Sequence, residues 1–258
     1  MTKLPEASRA RGIYLLPNLF TLSALFAGFY AVVAAMKGVF EHAAIAIFVA
    51  MLMDSLDGRV ARLTNTQTPF GAQLDSLSDM ISFGIAPALV IYSFSLNYIG
   101  KLGWLAAFVY TASAALRLAR FNTRNTHDKR YFQGLPSPAG AAIIASIVWA
   151  CVEHAIAGPS IRLIALVVTP LVGLLMVSNV RYRSFKDLDL KGNVSFMVII
   201  FIVFLFVLIA IDPPDIFFLV FILYGLSGPV TRVWHSARKR RMRKQRAAAQ
   251  NEKNDAES

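Results

Sequence analysis

The sequence predicts an all-α integral membrane protein with about eight transmembrane helices. Of its 258 residues, 56% are hydrophobic and 16% are charged, and the mean hydropathy is +0.55. The apolar residues form blocks of roughly 18 to 22, the length at which a helix crosses the hydrocarbon core of a bilayer. These blocks lie near residues 19–36, 40–58, 76–96, 102–119, 138–157, 161–178, 194–211 and 215–233.

The positions of Lys and Arg predict how these spans are oriented. If both termini are cytoplasmic, 23 of the 26 basic residues lie on the cytoplasmic side, and only Lys37, Lys101 and Arg162 lie outside. Such a bias is what the positive-inside rule requires, and an odd number of spans would remove it. We therefore expect a multi-pass protein of the cell inner membrane with cytoplasmic termini.

The chain divides into a polytopic membrane domain, residues 1–235, and a basic tail, residues 236–258. The tail contains the run "RKRRMRKQR" at 238–246, which contributes much of the net charge of +11. Basic residues next to a membrane meet anionic headgroups, so we expect membrane lipids as partners and no nucleic acid. The polar residues that follow are typical of a disordered cytoplasmic segment.

Four aspartates lie where the second span ends and the third begins. Asp54 and Asp57 are separated by three residues and Asp75 and Asp79 by four, so each pair shares one face of a helix. Adjacent antiparallel helices would bring the four carboxylates together, where they repel one another unless cations neutralise them. Oxygen ligands suit Mg²⁺ or Mn²⁺, and two divalent cations would balance four negative charges.

Two other interpretations of this stretch remain open at this point. The aspartates could cap helices or pair with Arg59 and Arg62, although carboxylates at a membrane span are costly and are usually functional. Gly58 and Gly71 could leave space for a bulky ligand beside the carboxylates or could serve helix packing. The residues between them, "GRVARLTNTQTPFG", are expected to form a connecting loop.

The spacing of this stretch, D-x₂-D-G-x₂-A-R-x₈-G-x₃-D-x₃-D, resembles the signature of the CDP-alcohol phosphatidyltransferases at every defined position. The segments "PNLFT" (17–21), "DSLSDMISFGIAPA" (75–88), "RLARFN" (117–122), "YFQGLPSPAGAA" (131–142) and "VSNVRYRSFKDL" (177–188) are similar to the bacterial, membrane-embedded phosphatidylserine synthases of that family. The resemblance covers residues 12–233. It implies a six-helix core followed by two C-terminal helices.

The resemblance implies transfer of a phosphatidyl group from CDP-diacylglycerol to the hydroxyl of L-serine, with release of CMP. In the same way it implies that Asp54, Asp57, Asp75 and Asp79 hold two divalent cations, and that Asp79 is the general base. A homodimer and a cytoplasmic active site are implied as well. The residues expected beside CDP-diacylglycerol are Gly58, Ala61, Arg62, Gly71, Asn18 and Thr21, although the last two would also suit helix capping.

A second set of basic residues follows the fourth and sixth spans. Arg side chains bind phosphate and carboxylate through paired hydrogen bonds, so we expect acceptor or phosphate contacts from this set. Positive residues at cytoplasmic helix ends also need no ligand, which is the competing explanation. The residues concerned are Arg117, Arg120, Arg181 and Lys186.

Three alternative functions stay open from the sequence. The same chemistry could use glycerol phosphate, inositol phosphate or choline as the acceptor, because the signature is shared. A metal or proton transporter would also place carboxylates in a membrane, but it would need them along a midplane route. A membrane anchor that recruits partners through its basic tail is the third.

Overall fold

The computed structural model describes residues 6–123, 131–183 and 196–232, and the tail at 236–258 lies outside these ranges. Within them the chain is almost entirely helical, which confirms the predicted all-α membrane class. Two three-residue strands, β1 (Tyr131–Gln133) and β2 (Arg181–Arg183), form an antiparallel pair. The helices are α1 (Glu6–Met36), α2 (Phe40–Leu63), α3 (Pro69–Asp79), α4 (Ala86–Phe94), α5 (Lys101–Thr123), α6 (Ser137–Glu153), α7 (Arg162–Val177), α8 (Phe196–Ile211) and α9 (Pro213–Arg232).

These helices correspond to eight predicted spans, because α3 and α4 are continuous through a π-helical segment, Met80–Ile85. Among the described residues, five segments are long and apolar enough to cross a membrane by length and composition. The helices α6 and α8 are shorter, with 17 and 16 residues. The remaining helix, α2, carries the charged end of the signature. The five segments are Leu16–Met36, Pro69–Phe94, Lys101–Thr123, Gly158–Val177 and Pro213–Arg232.

The connection between the second and third spans is shorter than the sequence indicated. Helix α2 continues to Leu63 and α3 begins at Pro69, so only residues 64–68 form the loop. The hydroxyl of Thr68 accepts the backbone N–H of Gly71 at 3.0 Å, and a proline at the first helical position is favourable. The apolar pattern of the sequence marks only the part of each helix that contacts lipid. Backbone hydrogen bonding continues both helices past that part, which is why the loop is shorter than predicted.

Small side chains hold α1 close to its neighbours. The two helices pack as an antiparallel pair. The alanines at their contact are fully buried, namely Ala31 of α1 and Ala43, Ala44 and Ala50 of α2. Association of helices in lipid depends on such close packing, because burial of apolar surface gives little gain there. The first two helices therefore form a rigid base for the carboxylates at the end of α2.

Two serines fix the position of α3 and the π-helical segment against α1. Ser78 donates a hydrogen bond to the carbonyl of Thr21 at 3.1 Å, and Ser82 donates to the carbonyl of Ala24 at 3.0 Å. The approach is close enough that a Cβ at Gly28 would lie 2.6 Å from Ser82 Oγ and 2.7 Å from its Cα. Glycine at position 28 is thus required by the packing.

Gly28→Ala is expected to lower stability, because its methyl group forces α1 away from Ser82. Overpacking of this kind costs about 1–3 kcal/mol. We expect a clear fall in the thermal unfolding midpoint of the detergent-solubilised protein. Gly58→Ala makes the same change in α2, where a Cβ meets nothing within 4 Å, and should leave the midpoint unchanged or slightly higher. Equal midpoints for the two variants would contradict the packing argument.

The first half of α9 packs at the end of the molecule opposite the carboxylates. Phe217 stacks on Phe48 of α2, with ring centroids 4.7 Å apart, and lies 6.1 Å from the ring of Trp149 in α6. Near these rings Asp215 lies 2.9 Å from His154 Nε2 and raises the pKa of His154 above its ordinary value of 6.5. The stabilisation of the folded state by this pair is complete below pH 6.5 and is lost as the pH rises through the raised pKa of His154.

Candidate active site

Three of the four signature aspartates meet in one small volume. Asp54 and Asp57 from α2 and Asp75 from α3 each offer a carboxylate oxygen, and these oxygens lie within 4.8 Å of one another. Asp79 lies one turn beyond Asp75 and is within hydrogen-bonding distance of Asp54. Asp57 is only 5% exposed. The structure therefore brings Asp54, Asp57 and Asp75 together at one end of the bundle, with Asp79 beside Asp54.

Helix α1 holds this cluster in place through one hydroxyl. Thr21 Oγ1 donates a hydrogen bond of 2.7 Å to Asp57 Oδ2, and both residues are buried. The carbonyl of Thr21 in turn accepts the hydroxyl of Ser78, which lies on α3 between Asp75 and Asp79. The orientations of α1, α2 and α3 are therefore linked at the carboxylates, and Thr21 is the residue that links them.

The chemistry of the cluster fits a divalent metal site. Carboxylates held this close repel one another, so their ionised forms require positive charge between them. The donor set consists of oxygen atoms only, as Mg²⁺ and Mn²⁺ prefer, and Thr21 orients one ligand as outer-shell groups do at metal sites. Asp54, Asp57, Asp75 and Asp79 are thus the residues that could hold metal ions here.

A cavity of about 210 Å³ opens beside Asp57 and Asp75. Its wall on the α2 side shows why the signature uses small residues, since a Cβ at Gly58 would point into open space. At Gly71 a Cβ would lie 3.3 Å from Asn18 Oδ1, so glycine keeps the α1 side of the cavity clear. All the residues predicted to contact CDP-diacylglycerol line the cavity, namely Asn18, Thr21, Gly58, Ala61, Arg62 and Gly71.

The short loop between α2 and α3 supplies wall residues that the sequence analysis missed. Thr66, Gln67 and Thr68 line the cavity, and Thr66 is only 7% exposed. Thr68 also caps α3. A threonine directly before a proline is a common start of a helix, so "TP" at 68–69 was a usable signal for this helix start and for the loop beside it.

The predicted basic residues occupy different positions. Arg117 on α5 is partly buried, donates to Ser137 Oγ at 2.9 Å, and its charge acts on Asp79. Arg120 donates to the carbonyl of Val177 at 2.8 Å, so its guanidinium holds the end of α7. The backbone of Arg181 pairs with Gln133 in the strand pair, and Lys186 lies outside the described residues.

Ser137 lies at the start of α6, in the quoted segment "YFQGLPSPAGAA". Its side chain is fully buried and accepts the hydrogen bond from Arg117. Pro136 precedes it as the helix cap and Pro138 follows it. The two prolines fix the backbone and so set the direction of the hydroxyl between them.

Comparison with known proteins identifies the family. The family model described as CDP-alcohol phosphatidyltransferase matches residues 14–177. A CDP-diacylglycerol–serine O-phosphatidyltransferase of Helicobacter pylori is 36% identical over 215 residues, which cover 83% of this chain and 90% of the relative. One of Methanocaldococcus jannaschii is 38% identical over 141 residues, covering 55% of this chain and 63% of the relative.

An archaetidylserine synthase of Methanothermobacter thermautotrophicus is 35% identical over 169 residues, which cover 65% of this chain and 69% of the relative. The family match ends at Val177, the last residue of α7, so α8 and α9 lie beyond it. The prediction of a phosphatidyltransferase with a six-span core and two added helices is confirmed. This chain belongs to the CDP-alcohol phosphatidyltransferase family.

Proposed function

We propose that the protein transfers the phosphatidyl group of CDP-diacylglycerol to the hydroxyl of L-serine, giving phosphatidylserine and CMP. The observation that carries the proposal is the aspartate cluster, three of whose oxygens lie within 4.8 Å, beside a cavity lined by the signature residues. The names of the relatives support serine as the acceptor. One is named for serine as a substrate, and another is named for a lipid product that contains serine, archaetidylserine.

The reaction is a direct displacement at the phosphorus that bears the diacylglycerol. The serine oxygen forms a bond to this phosphorus, the bond to the bridging diphosphate oxygen breaks, and CMP leaves with the electron pair. Asp79 accepts the proton of the serine hydroxyl, because an alcohol is a poor nucleophile unless a nearby base takes its proton. Two divalent cations, held by the four carboxylates, would neutralise the diphosphate and stabilise the charge on the leaving CMP.

The side chains around the cavity position the substrates for this step. Gly58 and Ala61 let the nucleotide approach α2, and Arg62 offers its guanidinium to the diphosphate. Arg117 is the residue that we assign to the serine carboxylate, because its charge lies near Asp79, which takes the proton of the same substrate. In phosphoryl transfer such positioning accounts for most of the catalysis.

The location of the site follows from the substrates. We place the carboxylate end of the bundle at the cytoplasmic face of the inner membrane, as the distribution of basic residues favours. CDP-diacylglycerol has its acyl chains in the leaflet and its nucleotide in water, whereas serine is cytosolic. A site at this face receives both without either crossing the bilayer. The homodimer stays a prediction of the family resemblance.

The test is release of CMP by the purified protein supplied with CDP-diacylglycerol and one alcohol at a time. We expect serine to support turnover, with phosphatidylserine as the product, and glycerol 3-phosphate, inositol phosphate and choline to be inactive. EDTA should abolish turnover and added Mg²⁺ or Mn²⁺ should restore it. Inactivity with serine would contradict the proposal, and metal flux into vesicles without a lipid product would favour a transporter.

The same assay tests the displacement mechanism. Without serine, a direct displacement cannot exchange labelled CMP into CDP-diacylglycerol, because no phosphatidyl intermediate forms on the protein. We therefore expect no label in the lipid. Exchange at a rate near that of turnover would show a covalent intermediate instead.

A further inference from the structure

Two hydrogen bonds fix α5 alongside α3 and the π-helical segment. Tyr110 donates to the carbonyl of Phe83 at 3.0 Å, and Asn122 donates to Ser76 Oγ at 2.9 Å. The two helices are therefore antiparallel neighbours, since the residue numbers rise along α5 while those of the partners fall. Arg117 lies between these contacts, seven residues beyond Tyr110 and thus on the same face of α5.

This alignment places Arg117 at the level of Asp79. Asp79 lies between the two partner residues on its own transmembrane helix, just as Arg117 lies between the two donors on α5. About one turn before Arg117, the Cβ of Ala114 is 3.4 Å from the position of a Cβ at Gly84, so the helices are in close contact here. The charge of Arg117 acts on Asp79, in agreement with this placement.

Ser137 determines which nitrogens of Arg117 are left for a ligand. Nη1 of Arg117 donates to Ser137 Oγ at 2.9 Å. Ser137 is fully buried, and the prolines on either side of it hold its backbone. The planar guanidinium presents its N–H groups in a fixed fork. Nε and Nη2 donate along one edge of that fork, which the bond from Nη1 to Ser137 leaves uncovered.

The Nε of Arg117 is the observation that points to a ligand. It is buried and has no hydrogen-bond partner among the described residues. A buried donor without a partner is costly, above all in a charged group. The two oxygens of a carboxylate match the two parallel N–H groups of the Nε–Nη2 edge. This edge therefore suits a carboxylate, which would lie beside Asp79.

We propose that Ser137 is a positioning residue that fixes the guanidinium of Arg117, so that its Nε–Nη2 edge receives the carboxylate of the acceptor. The inference deepens the proposed function and rests on it, because that function supplies serine as the acceptor. A guanidinium that is ordered before the substrate arrives binds more tightly, because less freedom is lost on binding. An alcohol without a carboxylate leaves Nε unpaired, so the same arrangement selects for serine.

The test is Ser137→Ala, which removes the acceptor of Nη1. We expect the KM for serine to rise about tenfold, as for loss of one hydrogen bond to a charged group, while the KM for CDP-diacylglycerol stays unchanged. Ser146→Ala is the matched control and should change neither KM, because Ser146 is also fully buried in α6 and donates to the carbonyl of Ile143 in the same helix. Ser137→Cys keeps the size of the side chain, but its sulfur is a weak acceptor. It should raise the KM for serine even if the alanine variant does not fold.

Two inhibitors separate recognition of the carboxylate from other effects of the change. L-Alanine has the carboxylate and amine of serine but no hydroxyl, whereas ethanolamine has the hydroxyl and amine but no carboxylate. In Ser137→Ala the inhibition constant of L-alanine should rise by the same factor as the KM for serine. The inhibition constant of ethanolamine should stay at the wild-type value. Equal changes for the two inhibitors would overturn the inference.

Coupling to Arg117 gives the decisive comparison. In an Arg117→Lys background, Ser137→Ala should add no further rise in the KM for serine, because lysine has no fork to orient. An unchanged KM for serine in both Ser137 variants, an equal rise in the KM for CDP-diacylglycerol, or full additivity with Arg117→Lys would overturn the inference. Wild-type turnover with serine is measured first. Its absence would contradict the proposed function and the inference together, whereas the other contrary results, obtained with serine turnover intact, would overturn the inference alone.

Discussion

Asp79→Asn is expected to lower kcat about a thousandfold, within the range of about 10²–10⁴ that general-base catalysis supplies. The amide cannot accept the proton of the serine hydroxyl, so the attacking oxygen stays weakly nucleophilic. Asparagine keeps the size of the side chain and one oxygen, so packing around Ser78 and Ser82 should be preserved. The measurement is CMP release under saturating CDP-diacylglycerol and serine, with Mn²⁺ binding followed by electron paramagnetic resonance on the same sample.

The matched control for this variant is Asp212→Asn, which removes a carboxylate near the start of α9, where Asp212 accepts the backbone N–H of Asp215. Asp212 lies at the end of the bundle opposite the carboxylate cluster, so Asp212→Asn should turn over substrate at the wild-type rate. Retained Mn²⁺ binding together with the loss of kcat separates a base from a ligand whose only role is to hold the metal. A fall in kcat of less than tenfold would contradict the assignment of Asp79 as the base.

Asp57→Ala is expected to abolish measurable turnover and to weaken Mn²⁺ binding by more than about a hundredfold. Removal of a ligand should cost more than removal of an outer-shell group, which typically costs about 10–100-fold. Asp57 is the most buried member of the cluster and receives the hydrogen bond of Thr21. Thr21→Val, which removes that bond and leaves the carboxylate, should therefore give an intermediate loss, and Thr21→Ser should restore most of it.

Thr169 provides a control for the loss of a buried threonine hydroxyl. Its Oγ1 is buried in α7 and has no hydrogen-bond partner among the described residues, so Thr169→Val should leave Mn²⁺ binding and turnover unchanged. Binding of Mn²⁺ is read without substrate, so the result does not depend on which alcohol the protein uses. Wild-type affinity in Asp57→Ala would contradict a metal site at this cluster.

The aspartate cluster could be predicted because it depends on residues that are close together in the sequence. Spacings of three and four residues place side chains on one helix face whatever the rest of the chain does, and a short connection makes two helices antiparallel neighbours. The structure brings Asp54, Asp57 and Asp75 together as that argument expects. Hydropathy blocks likewise predicted eight spans, since crossing lipid depends mainly on length and apolar content.

What the sequence did not show depends on contacts between distant residues. Ser78 and Ser82 bond to α1 backbone 57 and 58 residues away, and nothing in their own surroundings marks those partners. The packing of Tyr224 on Tyr182 has the same character, because it requires Gly228 to let α9 approach the strand pair. Tyrosines in a hydrophobic span look like lipid-facing residues until the docking of the helix is known.

The π-helical segment Met80–Ile85 changes the rotation of α4 about the helix axis relative to α3, although the two form one transmembrane helix. Its extra residue per turn makes the N–H of Ala86 bond to the carbonyl of Ile81, while Tyr110 donates to the carbonyl of Phe83 at 3.0 Å. One residue corresponds to about 100° of helical rotation, so a regular helix would turn α4 by that angle relative to Asp79. The faces that α4 presents to α1, α5 and α6 can therefore change in evolution without rotating the aspartates, provided that the hydrogen bond from Tyr110 of α5 to the π-helical segment is kept.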